Sequence, residues 1–391
     1  MMSETVTHQK ILYFSGDAYF QDVLKAIGQA QSEITLESYI FDFDPIGVQI
    51  LNALEQAHLR GVKVRILIDG VGSYNWLRQI TREAKQKSLM MRVYHPMLFQ
   101  VPLFQILSWR NIQRTLLFLK RTNKRNHRKT IILDRKIIFL GSYNISQVHS
   151  EKYMGKNAWR DTGIQVVFSQ PSSEEIMTVH RAFIQAWKSA RRLTSINFKS
   201  FIKTPFARFK PAPKLFRLNS QMDLRATLLR DLRHRMKHSQ RRILITNAYF
   251  LPRLSVLRAI RKAATRGVYV ALLLPAKTDV WFFREASRSL YYRLLQWGVH
   301  IFEYKPRVLH AKTMIIDDWA TVGSHNFNHR SLIHDLEIET AIDDMSTLEK
   351  LLKQWDQDIR LSQPITLEDL GKQSLFRRAI SRILYWFRYW I

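Results

Sequence analysis

The 391 residues suffice for two domains of ordinary size, each with a core of its own. Lysine and arginine number 61 against 32 aspartates and glutamates, and the net charge of +29 attracts acidic partners, nucleic acid and anionic membrane alike. The absence of cysteine excludes disulfides, thiolate metal sites and thiol nucleophiles; Met1 to His8 contain an acid and no apolar run and do not read as a signal peptide.

In chain order, the alternating run 34–41 predicts a strand, followed by a helical pattern, Arg60-Gly61-Val62 and an apolar strand 64–68 ending at Asp69. The apolar stretch 97–109 is trailed by Arg110, Arg114, Lys120 and Arg121. It is too short to span a bilayer and suits an interfacial segment, a lid over a site or a buried core helix. Next come Asn126-His127-Arg128-Lys129 with an apolar strand closed by Asp134, a Gly141-Ser142-x-Asn144 turn, and Trp159-Arg160-Asp161 ahead of another apolar strand. The segment 198–218 scatters basic residues among phenylalanines and three prolines, as a linker between lobes does, although such interleaving also stacks on single-stranded nucleic acid.

The order then recurs. The run 243–250 is followed by a helical pattern, Arg266-Gly267-Val268 and the strand 269–274, then Leu309-His310-Ala311-Lys312 with a strand closed by Asp317, Gly323-Ser324-x-Asn326, and Leu336-Glu337-Ile338-Glu339. The offset is 183 residues from His127 to His310 and 182 from Gly141 to Gly323. Each half opens as β-α-β, which predicts an α/β fold with a mixed sheet in each lobe. At about 100° per residue the tail 375–391 gathers Leu375, Phe376, Ala379, Ile380, Ile383, Leu384, Trp386, Phe387, Trp390 and Ile391 on one half of a helix. Arg377, Arg378, Arg382 and Arg388 fall opposite. That pattern suits the headgroup plane of an anionic bilayer; the alternative is a terminal helix packed on its own domain.

On a strand, residues two apart share a side, so His127 projects with Lys129 and His310 with Lys312. A phosphodiester gains negative charge on its equatorial oxygens under attack, and lysines and asparagine amides stabilise that charge with no metal or other cofactor. A neutral imidazole can attack phosphorus to give a phosphohistidine, provided an opposing acid protonates the departing alkoxide. Asp161 and Glu337 are the favoured carboxylates to orient the imidazoles. Asp134 and Asp317 complete the candidate catalytic set, although their strand-end position also suits turn anchors.

These residues resemble the phospholipase D superfamily, whose signature is a duplicated His-x-Lys-x4-Asp motif with a Gly-Ser-x-Asn turn. The resemblance implies two similar lobes, each a mixed sheet flanked by helices, with the active site between them. It implies catalysis by His127 and His310, phosphate binding by Lys129, Lys312, Asn144 and Asn326 with Ser142 and Ser324 of the turns, and Asp161 and Glu337 behind the histidines. Either histidine can be the nucleophile. On this basis the lobes are placed at 1–195 and 221–365, with a basic linker 196–220 and an amphipathic C-terminal helix 366–391.

Within the superfamily the sequence is most similar to cardiolipin synthases of the shorter B type. The similarity lies in Arg60-Gly61-Val62, Asp69-Gly70-Val71-Gly72-Ser73, Asn247-Ala248-Tyr249-Phe250, 299–304, Ala320-Thr321-Val322-Gly323-Ser324 and Trp159-Arg160-Asp161-Thr162. Ser142 stands where a second glycine is usual there, and the resemblance is not traced into the tail beyond residue 365. The resemblance implies phosphatidyl transfer between phospholipids, from phosphatidylglycerol or phosphatidylethanolamine, by an enzyme lying peripherally on the cytoplasmic side of the cell membrane. The rival readings are a hydrolytic phospholipase D or a nuclease of the same superfamily, and a non-catalytic scaffold. Two intact motif sets and the apolar stretches favour a lipid enzyme, and nucleic acid is not the expected partner.

Overall fold

The computed structural model describes residues 8–96, 123–191, 215–372 and 374–386. The expected apolar segment 97–109, most of the basic linker 196–220 and the tail end 387–391 lie outside them.

The first sheet has seven strands: β1 (His8–Tyr13), β2 (Glu33–Ser38), β3 (Lys63–Asp69), β4 (Met90–Tyr94), β5 (Thr130–Leu133), β6 (Ile137–Gly141) and β7 (Gly163–Phe168), in the order β1-β7-β6-β5-β2-β3-β4. Strands β2, β3 and β4 run parallel, joined by helices α1 (Gly16–Gln29) before β2, α2 (Pro45–Leu59) and α3 (Leu77–Gln86), whereas β5, β6 and β7 are antiparallel. After α4 (Glu174–Arg191), the second sheet repeats the plan with β8 (Phe216–Leu218), β9 (Arg242–Thr246), β10 (Tyr269–Pro275), β11 (His300–Tyr304), β12 (Thr313–Ile316), β13 (Trp319–Gly323), β14 (Ile338–Ile342) and β15 (Ser362–Ile365). Its order is β15-β11-β10-β9-β12-β13-β14-β8. Residues 216–218, assigned to the linker from sequence, instead form the edge strand of this sheet, paired antiparallel to β14 as β1 pairs with β7. Three residues give too short an alternation to be seen in the sequence.

The longer helices of the second half are α5 (Met222–His238), α6 (Leu254–Ala264), α7 (Trp281–Arg288), α8 (Met345–Arg360) and α9 (Leu375–Trp386). The repeated Arg-Gly-Val triplets end α2 and α6. Gly61 and Gly267 take φ of 92° and 88°, a left-handed conformation that closes a helix without a Cβ clash, and Val62 and Val268 then bond back to Ala57 and Ala263.

Alternation along the strands builds three layers of core. Ile131 and Leu133 face α1 and α2, while Ile132 between them turns to the opposite side. In the second sheet Ile243 and Ile245 face α5 and α6, and Leu244 points the other way. The inward faces meet: Ile132, Ile138, Leu140 and Ile164 pack in one cluster with Leu244, Ile315, Val322 and Ile338. Two sheets thus share one central core. Arg160 adds a buried ion pair across the lobes, its Nη2 lying 2.8 Å from Asp358 of α8.

Asp134 and Asp317 sit beyond the ends of β5 and β12 with φ near 50°. Asp134 accepts bonds from the backbone N–H groups of Gln31, Ser32 and Glu33, and Asp317 from those of Gln240, Arg241 and Arg242. Each pins the start of the neighbouring parallel strand. A bond to a charged acceptor is worth about 1.5–3 kcal/mol, so Asp134→Ala or Asp317→Ala should lower Tm by several degrees. The kcat of the folded fraction should stay at the wild-type value, as thermal melts paired with turnover would record.

Candidate active site

Each His-x-Lys segment lies just ahead of its strand rather than within it, since β5 starts at Thr130 and β12 at Thr313. A backbone bridge to the other lobe holds it there. His127 N–H donates to Leu336 O at 3.0 Å and Leu336 N–H to Arg125 O at 2.9 Å. In the mirror position, Arg160 N–H donates to Val308 O at 2.8 Å and His310 N–H to Arg160 O at 2.9 Å.

The residue after each bridge supplies a carboxylate, so the pairs are crossed. Glu337 of the second half lies 3.0 Å from His127 Nδ1, and Asp161 of the first half lies 2.8 Å from His310 Nδ1. With Nδ1 donating to a carboxylate, the proton-free Nε2 is the nitrogen left for chemistry. Sequence reasoning picked both acids but had no means of showing that each serves the opposite repeat.

His127 and His310 line one cavity of about 530 Å³, with Asn144, Asn326, Tyr39, Tyr249 and Trp159. Tyr39 follows β2 and Tyr249 follows β9, and each ring sits edge-on to a histidine, at 4.8 Å from His127 and 6.2 Å from His310. The Lys129 and Lys312 ammonium groups lie over these same tyrosine rings, 5.2 and 5.9 Å from their centres. Each lysine also donates to the backbone carbonyl of its own motif histidine. Asn144 Oδ1 accepts from Ile40 N–H, so its amide N–H groups are the donors it has for an anion; Asn326 Oδ1 is buried and has no hydrogen-bond partner among the described residues.

The family described as "Cardiolipin synthase, PLD-like domain" matches residues 23–154 and again 232–359. Cardiolipin synthase B of Shigella flexneri is 34% identical over 333 residues, covering 84% of this chain and 75% of that protein. The chain belongs to the cardiolipin synthase family. A probable cardiolipin synthase of Bacillus subtilis is 28% identical over 98% of this chain and 74% of its own length. In fold, the crystal structure of phosphatidylserine synthase from Haemophilus influenzae superposes with a TM-score of 0.65, covering 97% of this chain and 92% of the other at 12% identity. The chain is thus a phospholipase-D-superfamily enzyme of two like lobes.

Of the candidate set of this family member, His127, His310, Asn144 and Asn326 line the cavity, and Lys129, Lys312, Asp161 and Glu337 stand behind its histidines and tyrosines; the other four are engaged elsewhere. Asp134 and Asp317 are the strand anchors described above and touch neither histidine. Ser142 and Ser324 are fully buried, and their hydroxyls are committed inside the protein: Ser142 Oγ bonds the Thr162 backbone, while Ser324 Oγ donates to Glu337 and accepts from Ile338 N–H. They brace the turns and one carboxylate rather than face a substrate. Residues that sequence reasoning passed over are Tyr39, Tyr249, His149 and Ser331. The repeat offset carried the signal, for the 182 residues between Gly141 and Gly323 also separate His149 from Ser331.

Burial sets the electrostatics of the enzyme. It pushes His127 well below the ordinary imidazole value, with Lys129 and Lys312 adding to the effect, and it pushes His310 down to about 4 against the opposing pull of Asp161. Both imidazoles are therefore neutral in the free enzyme at pH 7. Burial also raises Glu337; it acts the same way on Asp161, but two imidazole partners outweigh it and hold that carboxyl well below its usual range. Desolvation brings Lys129 to about 7 and Lys312 to about 8. An ammonium with a depressed pKa loses its charge as pH rises through that value. The kcat/KM profile should accordingly fall on the alkaline side between about pH 7 and 8, with no acid limb at pH 6.5. A profile flat to pH 9 would show that the lysine charge is not needed to hold the phosphate.

Proposed function

We propose that the enzyme transfers a phosphatidyl group from one phospholipid to the hydroxyl of another, forming cardiolipin from phosphatidylglycerol. One observation supports this above the rest: two crossed histidine–carboxylate pairs turn His127 and His310 toward a single cavity that Asn144 and Asn326 also line, with Lys129 and Lys312 over its tyrosine rings.

The two carboxylates divide the labour. Asp161 stays anionic and suits a histidine that must become imidazolium, whereas Glu337 is the more easily neutralised. His310 takes up a proton from water as the phosphodiester anion enters; His127 Nε2 attacks phosphorus, the bond to the departing glycerol oxygen breaks, and that oxygen takes the proton from His310. The nitrogen–phosphorus bond holds the phosphatidyl group. Neutral His310 then accepts the proton from the glycerol hydroxyl of a second phosphatidylglycerol, whose oxygen attacks phosphorus and releases His127. Phosphatidylethanolamine fits the same first step with ethanolamine leaving. Water in place of the second lipid would give phosphatidic acid.

The cavity wall is partly apolar. Val280 and Phe283 reach it from the start of α7, whose Trp281 points outward and is 61% exposed. Helix α9 packs on α7 and leaves Ile383 and Trp386 exposed at 59% and 79%. From sequence, docking on the protein and lying on a membrane are alternatives for this tail. The helix docks by one flank, with Ser381 buried and Tyr385 against the core, and still presents apolar side chains outward. Among the described residues no helix is long and apolar enough to cross a membrane. We place this side of the enzyme against the anionic cytoplasmic surface of the cell membrane, which the charge of +29 and the exposed tryptophans favour.

Mass spectrometry of phosphatidylglycerol vesicles after incubation should show cardiolipin with wild type and none with His127→Ala or His310→Ala. Phosphatidic acid alone would make the enzyme a hydrolase, and no lipid turnover would overturn the reading. With p-nitrophenol as leaving group, which needs no proton, His310→Ala should still release one burst equivalent and His127→Ala none. The double variant Trp281→Ser with Trp386→Ser should bind anionic vesicles more weakly yet turn over a soluble phosphodiester at the wild-type rate. Undiminished vesicle sedimentation would remove α7 and α9 from the membrane face.

A further inference from the structure

The two repeats depart from symmetry directly behind the catalytic carboxylates. Ser331 donates its hydroxyl to Glu337 Oε1 at 2.6 Å. At the equivalent position of the first repeat stands His149, whose ring is 2.8 Å from Asp161 Oδ2 through Nδ1, while Asp161 Oδ1 takes His310. One carboxylate therefore bridges two imidazoles.

The state of the His149 ring is fixed from its far side. The backbone N–H of Asn144 points at His149 Nε2 from 3.2 Å. A backbone amide only donates, so Nε2 must accept and the ring proton must sit on Nδ1, aimed at Asp161. The ring is 1% exposed and wedged between Tyr143 and Trp159, with centroids 5.4 and 5.6 Å away. Among the described residues the charged or titratable groups around it are Asp161, His310, Tyr143 and, further off, Asp42.

We propose that His149 is a positioning residue for the acid–base step: it holds Asp161 in the orientation that lets His310 pass a proton to the leaving alcohol. It also ties that acid to the Asn144 turn, so that the phosphate-binding amide and the proton donor are set by one ring. Ser331 gives Glu337 a hydroxyl of free rotation and no fixed tautomer. The near-symmetric halves thereby acquire unlike histidines, a division of roles that rests on the reading above.

The test pairs His149→Ala with His149→Asn, whose amide N–H can reach Asp161 where the Nδ1–H did. With phosphatidylglycerol, His149→Ala should lose kcat by about 10–100-fold, the usual cost of removing an outer orienting partner, with KM little changed. His149→Asn should recover much of that loss. With a p-nitrophenol leaving group the deficit of His149→Ala should largely vanish. Histidine-selective ¹⁵N NMR of the full chain, with His310→Ala for assignment, should show the His310 Nδ1–H signal in wild type and His149→Asn and its loss in His149→Ala. An equal deficit for both leaving groups, or an asparagine variant as impaired as alanine, would overturn the proposal and leave the ring a packing element. Should wild type turn over no lipid, the lipid reading fails, while the NMR arm still decides the role of His149.

Discussion

Two short backbone bridges between the lobes govern the rest of this structure. In each, a motif histidine is hydrogen-bonded to the segment of the other repeat that carries its carboxylate. The bridge fixes where the imidazole stands, and the side chain one residue further along fixes how it is turned. The common core of β5, β6 and β7 against β9, β12, β13 and β14 holds these segments at constant spacing, and the buried Arg160–Asp358 pair reinforces it. Removing one partner of a buried pair typically costs about 3–5 kcal/mol.

Much of this was legible in the sequence because duplication repeats what matters. The Arg-Gly-Val triplets marked two helix ends, the apolar runs marked the parallel strands, and His127, Lys129, His310 and Lys312 announced phosphoryl chemistry. What stayed hidden depends on the register between lobes. Nothing in the order of residues says whether Asp161 faces His127 or His310, because either distance along the chain is compatible with folding. Asp134 and Asp317 show the opposite failure. Their regular place in the motif suggested chemistry, yet that regularity reflects a strand-end anchor needed once per repeat. Ser142 and Ser324 were likewise drawn toward the substrate by their neighbours in the turn, when backbone groups within reach had already claimed their hydroxyls.

Burial explains why the site is so strongly tuned. Two lysines, two histidines and two carboxylates lie almost wholly out of water within one small volume. Desolvation disfavours every charge among them, and the groups respond according to their partners: the lysines weaken, the histidines go neutral, and only Asp161, with two imidazole donors, keeps a firmly held negative charge. On the proposed function, an arriving phosphodiester anion supplies the countercharge that the lysines lack, so binding and charging of the site are one event.

The central core shared by the sheets also bears on the order of events. Lobes joined through packed strands are braced against opening like jaws, and both histidines face one cavity between them. On the proposed function the alcohol that leaves and the hydroxyl that arrives use the same space, one after the other. On the proposed mechanism the enzyme works as a turnstile, and the covalent intermediate is what the protein holds while the occupant changes.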